Sequence, residues 1–411
     1  MPEIAYSLGG IAPSIVLRPT SISEAQQFVS QNTGHAIIPW GGGTWRHLGH
    51  TPAKYDIAIS TLGLAGLRDY SPSDLSITIL AGTTWSEAQN FAKSHGQYLP
   101  VDVAAPDQQT VGGVVASRAN GLSRVKDGSI RDALLGIKVI NSAGELIAGG
   151  GKVVKNVAGY DLCKLYCGSF GSLGLIVEAT FKVNPIPSHS KTLVFNLPND
   201  SNAEAVLDSI YGAGHAPSFI YLLNARACRG LLPAFSNASS TQTLVIGFDG
   251  TEPDVDWQVK QLGSAAAIIS GTDAIVLRNS LRDAPVYPST MTVRFHIASS
   301  QVGAFSRMIE WTAKRAGFYS AVISDTGTGY MWAHFEPINS VANWKIFHDD
   351  LRDKASRCGG SFILCRLPTG LASLGLDVWS PVLGDVTLMK RIKEHMDPLN
   401  MWSPGLGYAR I

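Results

Sequence analysis

The amino-acid sequence predicts an α+β fold built from two domains, and three observations lead to this prediction. The chain has 411 residues, which is more than one hydrophobic core usually serves. Strand patterns and helix patterns alternate along it. Two prolines, Pro185 and Pro187, interrupt the alternation and indicate a domain boundary. We therefore expect a first domain over residues 1–187, a second over residues 188–386, and a tail, 387–411, that returns to the first domain.

The first domain opens with a β-α-β pattern that ends in a glycine-rich loop. A short strand precedes a helix predicted over residues 23–31, whose apolar residues recur at three and four positions, as one buried helix face requires. Ser21 or Ser23 can cap this helix, because a serine hydroxyl accepts a hydrogen bond from the first helical amides. A strand over residues 36–39 leads to the loop 41–44, the first place to expect a ligand.

The rest of the first domain alternates between strands and short helices. Ser86 and Glu87 favour a helix start, and the Asn-Ser-Ala-Gly sequence of residues 141–144 is typical of a hairpin turn. The predicted elements are a strand over 76–81, a helix over 84–95, a helix start over the small residues 110–117, strands over 134–140 and 145–148, and a strand over 172–183.

The second domain combines strands and helices without glycine motifs. Its predicted strands are 191–196, 219–224, 242–248, 292–297, 320–324, 329–335 and 361–367. Its predicted helices are 203–213, 254–263, 303–316 and 341–358. This order indicates an antiparallel sheet with helices on one face. A last helix over 388–396 is ended by Asp397 and Pro398.

Composition and charge argue against several classes of protein. The formal net charge is +1, which gives no electrostatic drive for binding nucleic acid. No apolar run approaches the roughly 18 residues that cross a bilayer, and no basic, apolar leader opens the chain, so we expect a cytoplasmic protein without an integral membrane segment. The 5 cysteines include no Cys-x-x-Cys pair, so we expect reduced packing residues and no metal site.

Glycine is the unusual component of the sequence, with 42 residues concentrated before position 175. Three segments are rich in it: residues 39–44, residues 110–113 after Pro106, and residues 150–174. Successive glycines let main-chain N–H groups converge on an anion such as a pyrophosphate. Each segment alone is typical of an ordinary loop. No G-x-G-x-x-G or G-x-x-x-x-G-K-[ST] motif is present, so a nucleotide would be held in another way.

Taken together and in this order, the three segments resemble the FAD-binding domain of the vanillyl-alcohol oxidase type family, a group of FAD-linked oxidoreductases. The resemblance covers residues 13–187 and implies a two-part FAD-binding domain plus an α+β cap domain with an antiparallel sheet. Within the family, the string that begins Gly-Gly-Lys-Val-Val-Lys-Asn at Gly150 is most similar to the E subunits of bacterial glycolate oxidases. The ending from Asp397 to Gly405 resembles the same subunits.

The resemblance also implies a set of FAD-binding residues. Two segments would cradle the pyrophosphate, and a later strand would touch the adenine end. The implied residues are Pro39, Trp40, Gly41, Gly42, Gly43 and Thr44; Pro106, Thr110, Val111, Gly112, Gly113, Ala116, Ser117 and Gly121; and Gly174, Ile176 and Val177. Many relatives attach FAD to a histidine at the place of Thr44, so we expect non-covalent FAD here.

Oxidation of a 2-hydroxy acid requires a cation for the carboxylate and a base for the hydroxyl proton. Arg294 and His296 alternate with apolar residues, so a strand would place both on one face. His334 has a similar position in a second strand. These three residues are the candidate catalytic groups, although a half-buried sheet would carry the same residues for structural reasons. The histidine-rich cap cluster of the self-sufficient relatives, His-x-x-Gly-Asp-Gly-Asn-x-His, has no match in this sequence.

The sequence thus supports three hypotheses of function. The first is an FAD-binding subunit of a glycolate oxidase complex that oxidises glycolate to glyoxylate and passes electrons to a second flavoprotein subunit and an iron–sulfur subunit. The second is a stand-alone FAD-dependent dehydrogenase of glycolate or D-lactate. The third is a non-catalytic scaffold subunit of the complex. Partner subunits could also attach the otherwise cytoplasmic chain to a membrane.

Overall fold

The computed structural model describes residues 6–119, 121–152, 159–197, 201–236, 241–262, 267–338, 343–367, 375–380 and 385–410. The helices in these ranges are α1 Ile22–Gln31, α2 Trp85–Lys93, α3 Val111–Ser117, α4 Arg124–Asp127, α5 Ile130–Ala133, α6 Leu162–Tyr166, α7 Ser201–Gly212, α8 Ala225–Leu231, α9 Glu252–Gln261, α10 Gly271–Arg282, α11 Val302–Arg315, α12 Trp344–Arg357 and α13 Val386–Met396.

The strands lie between and around these helices. They are β1 Ile15–Leu17, β2 Ile37–Trp40, β3 Ile57–Ser60, β4 Leu67–Ser71, β5 Ser76–Leu80, β6 Gln97–Tyr98, β7 Leu134–Ile140, β8 Leu146–Gly150, β9 Leu175–Lys182, β10 Asn184–Pro185, β11 His189–Leu197, β12 Phe219–Asn224, β13 Gln242–Gly250, β14 Ala267–Ile269, β15 Met291–His296, β16 Phe318–Asp325, β17 Tyr330–Pro337, β18 Ser361–Arg366 and β19 Trp379–Ser380. Residues 341, 342 and 263 of two predicted helices lie outside the described residues.

The chain divides into two compact units. The first unit comprises Met1–Gly121, Gly128–Ile186 and Val382–Ile411, and the second comprises Leu122–Asp127 and Pro187–Pro381. Residues 122–127, which the sequence prediction placed in the first domain, are therefore part of the second unit. The C-terminal return to the first unit begins at residue 382, where the prediction placed it at 387.

The first unit contains a parallel sheet of order β1-β3-β2 and an antiparallel sheet of order β4-β5-β9-β7-β8. Ala25 and Val29 of α1 pack in one core with Ile57 and Val177, because these apolar positions form a single helix face. Ser21 caps α1, since its side chain accepts a hydrogen bond from the amide of Glu24. The two sheets of this unit thus share a core that α1, β3 and β9 form.

The second unit is built on a nine-stranded sheet of order β14-β11-β13-β12-β16-β17-β15-β18-β19. Every neighbouring pair in this sheet is antiparallel, as predicted. The prediction that helices cover one face is wrong. Ile210 of α7 and Val255 of α9 pack with one set of strand residues, whereas Cys228 of α8 and Leu277 of α10 pack with the alternate set. Because successive strand residues point to opposite faces, helices cover both.

No helix among the described residues is long and apolar enough to span a bilayer. Four of the cysteines, Cys163, Cys167, Cys228 and Cys365, are buried, and Cys358 is half-buried; all five are reduced.

Candidate functional site

The first unit contains a cavity that is open to solvent, with about 900 Å³ of empty space when the adjoining open solvent is included. Three segments form most of its wall: the loop after β2, the beginning of α3, and the turn before β9. The residues that line it are Leu8, Ile38, Pro39, Trp40, Gly41, Gly42, Gly43, Thr44, Trp45, Arg46, Leu48, Thr61, Thr110, Gly112, Gly113, Ala116, Ser117, Phe170, Gly171, Gly174, Leu175, Ile176 and Leu406. The structure thus brings the three glycine-rich segments of the sequence to one place.

Close packing between two segments explains the first pair of glycines. A Cβ atom at Gly42 would lie 1.7 Å from the carbonyl oxygen of Gln108, and one at Gly41 would lie 2.1 Å from Oγ1 of Thr110. Gly43 has a φ of +69°, a backbone conformation that residues with a side chain rarely adopt. The loop after β2 can therefore reach the beginning of α3 only without side chains at these positions.

The amides of the two glycine segments differ in their partners. At the beginning of α3, the amide of Val111 donates to Thr83 O (2.9 Å) and that of Gly112 to Ala81 O (2.8 Å). The amide of Gly113 donates to Oγ1 of Thr110 at 3.2 Å. Among the hydrogen bonds of the described residues, none has the amide of Gly42, Gly43 or Thr44 as its donor. The anion nest expected from both segments is thus open only in the loop after β2.

A cation and aromatic rings complete the cavity wall. Arg46 lies on it, and its Nε donates to His47 Nε2 at 3.3 Å. Trp45 is fixed by a hydrogen bond from its Nε1 to Oε1 of Gln109, at 3.1 Å. Trp40 is buried and packs edge-on against Tyr6, with ring centroids 5.3 Å apart. The wall therefore offers positive charge at the glycine loop and apolar surface beside it.

Four of the implied FAD-binding residues do not line the cavity: Pro106, Val111, Gly121 and Val177. Val111 is fully buried in the core. The carbonyl of Val177 accepts the amide of Ala81 at 2.9 Å, and that of Pro106 accepts the amide of Ser86 at 3.1 Å. A Cβ atom at Gly121 would lie 2.4 Å from the amide nitrogen of Asp102. These four residues lie behind the cavity wall, and their part in FAD binding stays a prediction.

Sequence reasoning missed several residues of the wall, including Arg46, Phe170, Gly171 and Leu406. Phe170 and Gly171 belong to the third glycine segment. The φ of Gly171 is +70°, a backbone conformation that favours glycine, so the glycine itself was a signal for this turn. Leu406 follows the Pro-Gly of the C-terminal motif. Residues 153–158 of the string that begins at Gly150 lie outside the described residues.

The second unit places Arg294 and His296 on one face of β15, as the alternation predicted. Arg294 pairs with Trp332 and His296 with Tyr330 across to β17. His296 stacks on the ring of Tyr330, with centroids 4.5 Å apart. The guanidinium of Arg294 lies 5.7 Å from the centre of the same ring.

A second guanidinium reaches Tyr330 from the segment 122–127. The guanidinium carbon of Arg124 lies 4.4 Å from the ring centre, within the range of a cation–π contact. No pattern in the sequence linked this residue to β17, because the two are far apart along the chain. Tyr330 thus lies among two arginines and a histidine.

His334 has a different environment. It is 2% exposed, and its Nδ1 lies 3.1 Å from Oγ1 of Thr292 and 3.3 Å from Oγ of Ser289. Burial, with a smaller contribution from Arg366, lowers the pKa of His334 from 6.5 to about 3. The ring is therefore neutral near pH 7 and enclosed by protein.

Three other arginines could also be considered as cations for a carboxylate, but each binds a group within the second unit: Arg278, Arg282 and Arg366. Arg278 contacts Asp249 and Arg282 contacts Asp283, at 2.8 and 2.9 Å. Arg366 donates to the carbonyl of Tyr287 at 3.1 Å. Among the described residues, no group of three or more His, Cys, Asp or Glu side chains could hold a metal ion.

Comparison with known proteins indicates what the cavity binds. Residues 13–150 match the family model described as FAD binding domain. The matched segment lies in the first unit, apart from residues 122–127, and the prediction of FAD as cofactor is confirmed. The solved structure of alkyldihydroxyacetonephosphate synthase has the same fold, with a TM-score of 0.72 over 96% of this chain and 77% of that chain at 17% identity. The predicted α+β fold class is thus confirmed.

Several curated proteins are similar in sequence. Mitochondrial D-lactate dehydrogenase [cytochrome] of Arabidopsis thaliana is 29% identical over 66% of this chain and 48% of its own length. Glycolate oxidase subunit GlcD of Bacillus subtilis is 24% identical over 97% of this chain and 89% of its own length. Glycolate oxidase subunit GlcE of Escherichia coli is 41% identical over 31% of this chain and 37% of its own length.

These matches support the coarser part of the expected resemblance. The match to GlcE covers only a third of the chain, whereas that to GlcD covers nearly all of it. The similarity is thus to proteins named as glycolate oxidase subunits and as D-lactate or D-2-hydroxyglutarate dehydrogenases, and the particular resemblance to the E subunit stays a prediction. The chain spans about half the length of the first curated relatives that it matches, from 40 to 48%.

Proposed function

We propose that the protein is an FAD-dependent oxidoreductase of 2-hydroxy acids and the flavin-binding subunit of a glycolate-oxidising complex. The observation that carries this proposal is the first-unit cavity, where the loop after β2 and the beginning of α3, both within the segment that matches the FAD binding domain, meet the turn before β9. The names of the relatives, D-lactate dehydrogenase and glycolate oxidase subunits, supply the substrate class.

The residues of the cavity fit FAD. The amides of Gly42, Gly43 and Thr44 and the guanidinium of Arg46 would hold the pyrophosphate, because they combine main-chain donors with a positive charge. Trp45 and Phe170 would cover the rings, since flat aromatic surfaces suit them. Thr44 has no side-chain nitrogen to form a covalent link, so the proposal includes non-covalent FAD.

Two side chains of the second unit would handle the substrate. FAD, when bound, supplies a hydride acceptor. Arg294 would bind the carboxylate of the 2-hydroxy acid, because a guanidinium matches a carboxylate in shape and charge. His296 would accept the hydroxyl proton, as an exposed imidazole can near neutral pH. We leave His334 out of this pair, because it is enclosed and its Nδ1 faces two hydroxyl groups.

The proposed partners follow the names of the glycolate oxidase relatives. Because both are called subunits, we propose a second flavoprotein subunit and an iron–sulfur subunit that receive the electrons. We also propose that the protein lies in the cytoplasm and that these partners attach it to a membrane. A stand-alone dehydrogenase is the second candidate, favoured by the match to D-lactate dehydrogenase over 66% of this chain.

An absorbance spectrum before and after anaerobic addition of glycolate or D-lactate tests these proposals. For the protein alone, bleaching of the flavin peaks supports the stand-alone enzyme, and persistence of the peaks supports a subunit that needs its partners. For the complex from its native cell, we expect bleaching, and Arg294→Met should slow it by about 100-fold. Arg357→Met, at a position 78% exposed on α12, is the matched control. The absence of flavin from both preparations would overturn the proposal.

A further inference from the structure

The C-terminal motif of the sequence contains a buried ion pair. Lys393 is 5% exposed and Asp397 is 1% exposed, and Lys393 Nζ lies 2.6 Å from Oδ2 of Asp397. The same nitrogen donates to two main-chain carbonyls, that of Ser172 and that of Trp402, each at 2.7 Å. An ammonium group has three N–H donors, so every one of them has an oxygen partner.

These contacts join three segments of the first unit: α13, the turn before β9, and the tail after α13. Asp397 accepts hydrogen bonds from the amides of Met401 and Trp402 at 3.1 and 2.8 Å. It therefore fixes the tail, while Lys393 connects α13 and the tail to Ser172. Ser403 adds a hydrogen bond from its Oγ to the carbonyl of Gly171, at 3.2 Å.

Two of the joined segments, the turn before β9 and the tail, continue into the cavity wall. Phe170 and Gly171, directly before Ser172, line the cavity. The tail also contacts β2: Ile37 donates its amide to Met401 O at 2.7 Å and accepts the amide of Ser403 at 2.9 Å, and β2 leads into the glycine loop. The tail itself reaches the wall at Leu406. The pair is thus connected to three parts of the wall, namely the turn before β9, β2 and the tail, without itself lining the cavity.

Stability alone does not explain a charged pair in this place. A buried ion pair is often no more stabilising than apolar side chains of similar size, because removing both charges from water is costly. Burial lowers the pKa of Lys393, and the contact with Asp397 counteracts this. Apolar side chains could fill the same volume, but they could not donate to the carbonyls of Ser172 and Trp402 together.

We propose that Lys393 and Asp397 are a positioning pair for the flavin cavity: they hold the turn before β9 and the C-terminal tail at the spacing that gives tight FAD binding. The proposal rests on the FAD binding proposed above. It assigns to the C-terminal motif a role in cofactor retention that is separate from its contribution to the stability of the fold.

The experiment compares FAD affinity with thermal stability in five apo-proteins of the full chain. Affinity is measured by titrating each apo-protein with FAD and following the flavin fluorescence. Stability is the Tm without FAD. The variants are Lys393→Met, the milder Asp397→Asn, and the double variant Lys393→Met/Asp397→Leu, each against the wild-type chain. Lys354→Met on α12 is a matched control, because Lys354 forms a Lys–Asp pair of the same spacing with Asp350.

For the positioning role, we expect both single variants to raise the Kd for FAD by about tenfold or more. The double variant should regain the wild-type Tm but keep the weakened affinity, because the two carbonyls still lack their donor. Lys354→Met should leave the Kd unchanged. Recovery of both Tm and affinity in the double variant, or wild-type affinity in the single variants, would overturn the positioning role alone. A wild-type chain that binds no FAD would overturn the proposed function and this role together.

Discussion

The cavity of the first unit and the polar face of β15 and β17 in the second unit differ in what builds them. The cavity is shaped mainly by the backbone, which approaches itself at Gly41 and Gly42. The polar face is formed by side chains that contact one another, namely Arg124, Arg294, His296 and Tyr330. A site shaped by closely approaching backbones requires glycines, which can be recognised in the sequence. A site formed by side chains depends on which residues the fold brings together, which the sequence does not show directly.

Gly42→Ala should break the backbone site most severely. The added Cβ would lie 1.7 Å from the carbonyl oxygen of Gln108, so the loop after β2 would have to move away from α3. We expect the Kd for FAD to rise by about 100-fold, since overpacking of this kind costs up to about 3 kcal/mol. Flavin fluorescence titration gives the Kd, and circular dichroism verifies that the variant is folded.

Gly151→Ala is the matched control for this prediction. No atom would lie within 4 Å of a Cβ at Gly151, so its FAD affinity should remain that of the wild type. Equal affinity in both variants would show that the cavity does not depend on the contact between the loop after β2 and the segment 108–110.

Substitution of His334 should alter how the stability of the second unit depends on pH. The pKa of His334 is about 3 in the folded protein and 6.5 as its ordinary value, so the unfolded chain binds the additional proton between these values. Stability from the neutral ring is thus complete above about pH 6.5 and is lost as the pH falls toward 3. Between pH 7 and pH 5, we expect the free energy of unfolding to fall by about 2 kcal/mol from this group.

Urea unfolding at pH 7 and pH 5 measures this effect. His334→Gln keeps a polar side chain beside Thr292 and Ser289 but cannot take up the proton, so the part of the pH dependence due to His334 should disappear. An unchanged difference between the two pH values in the variant would mean that other groups cause the acid sensitivity. This result would also mean that burial does not hold the ring of His334 neutral, contrary to what the structure indicates.

The sequence predicted most elements of both units, and the errors arose where burial and exposure did not follow the usual apolar pattern. β12 was predicted with its observed ends, Phe219–Asn224, and every one of its residues is buried. Such an unbroken buried run is typical of a strand covered on both faces, so it could have corrected the expectation of helices on one face. α10 was missed because Ile275 and Val276 are exposed, which obscures the apolar face formed by Leu277 and Leu281.

At the candidate site, the residues that could be predicted were those that the backbone geometry requires. The glycine segments could be found because closely approaching backbones exclude Cβ atoms. Arg46, in a loop, and Arg124, in the short helix α4, could not be found, because an isolated charged residue has the same sequence pattern whether it faces a ligand, a ring or solvent. The amides at the beginning of α3 were expected to be open to an anion, yet Thr83 and Ala81 already accept two of them.

Arg46→Met should have the smallest effect, because it removes one side-chain contribution from a site that the backbone mainly forms. Arg46 is exposed, so solvent screens its charge, and we expect the Kd for FAD to rise by about fivefold at low salt. Arg46→Lys should restore part of the affinity, since it keeps the charge but not the planar donor set. Arg68→Met, at an exposed position that does not line the cavity, is the control.

The wild-type affinity should fall with added salt toward that of Arg46→Met, because the amides of the glycine loop retain their dipoles at any ionic strength. A salt dependence that is equal in wild type and variant would show that Arg46 does not contact the pyrophosphate, and that the backbone alone holds it.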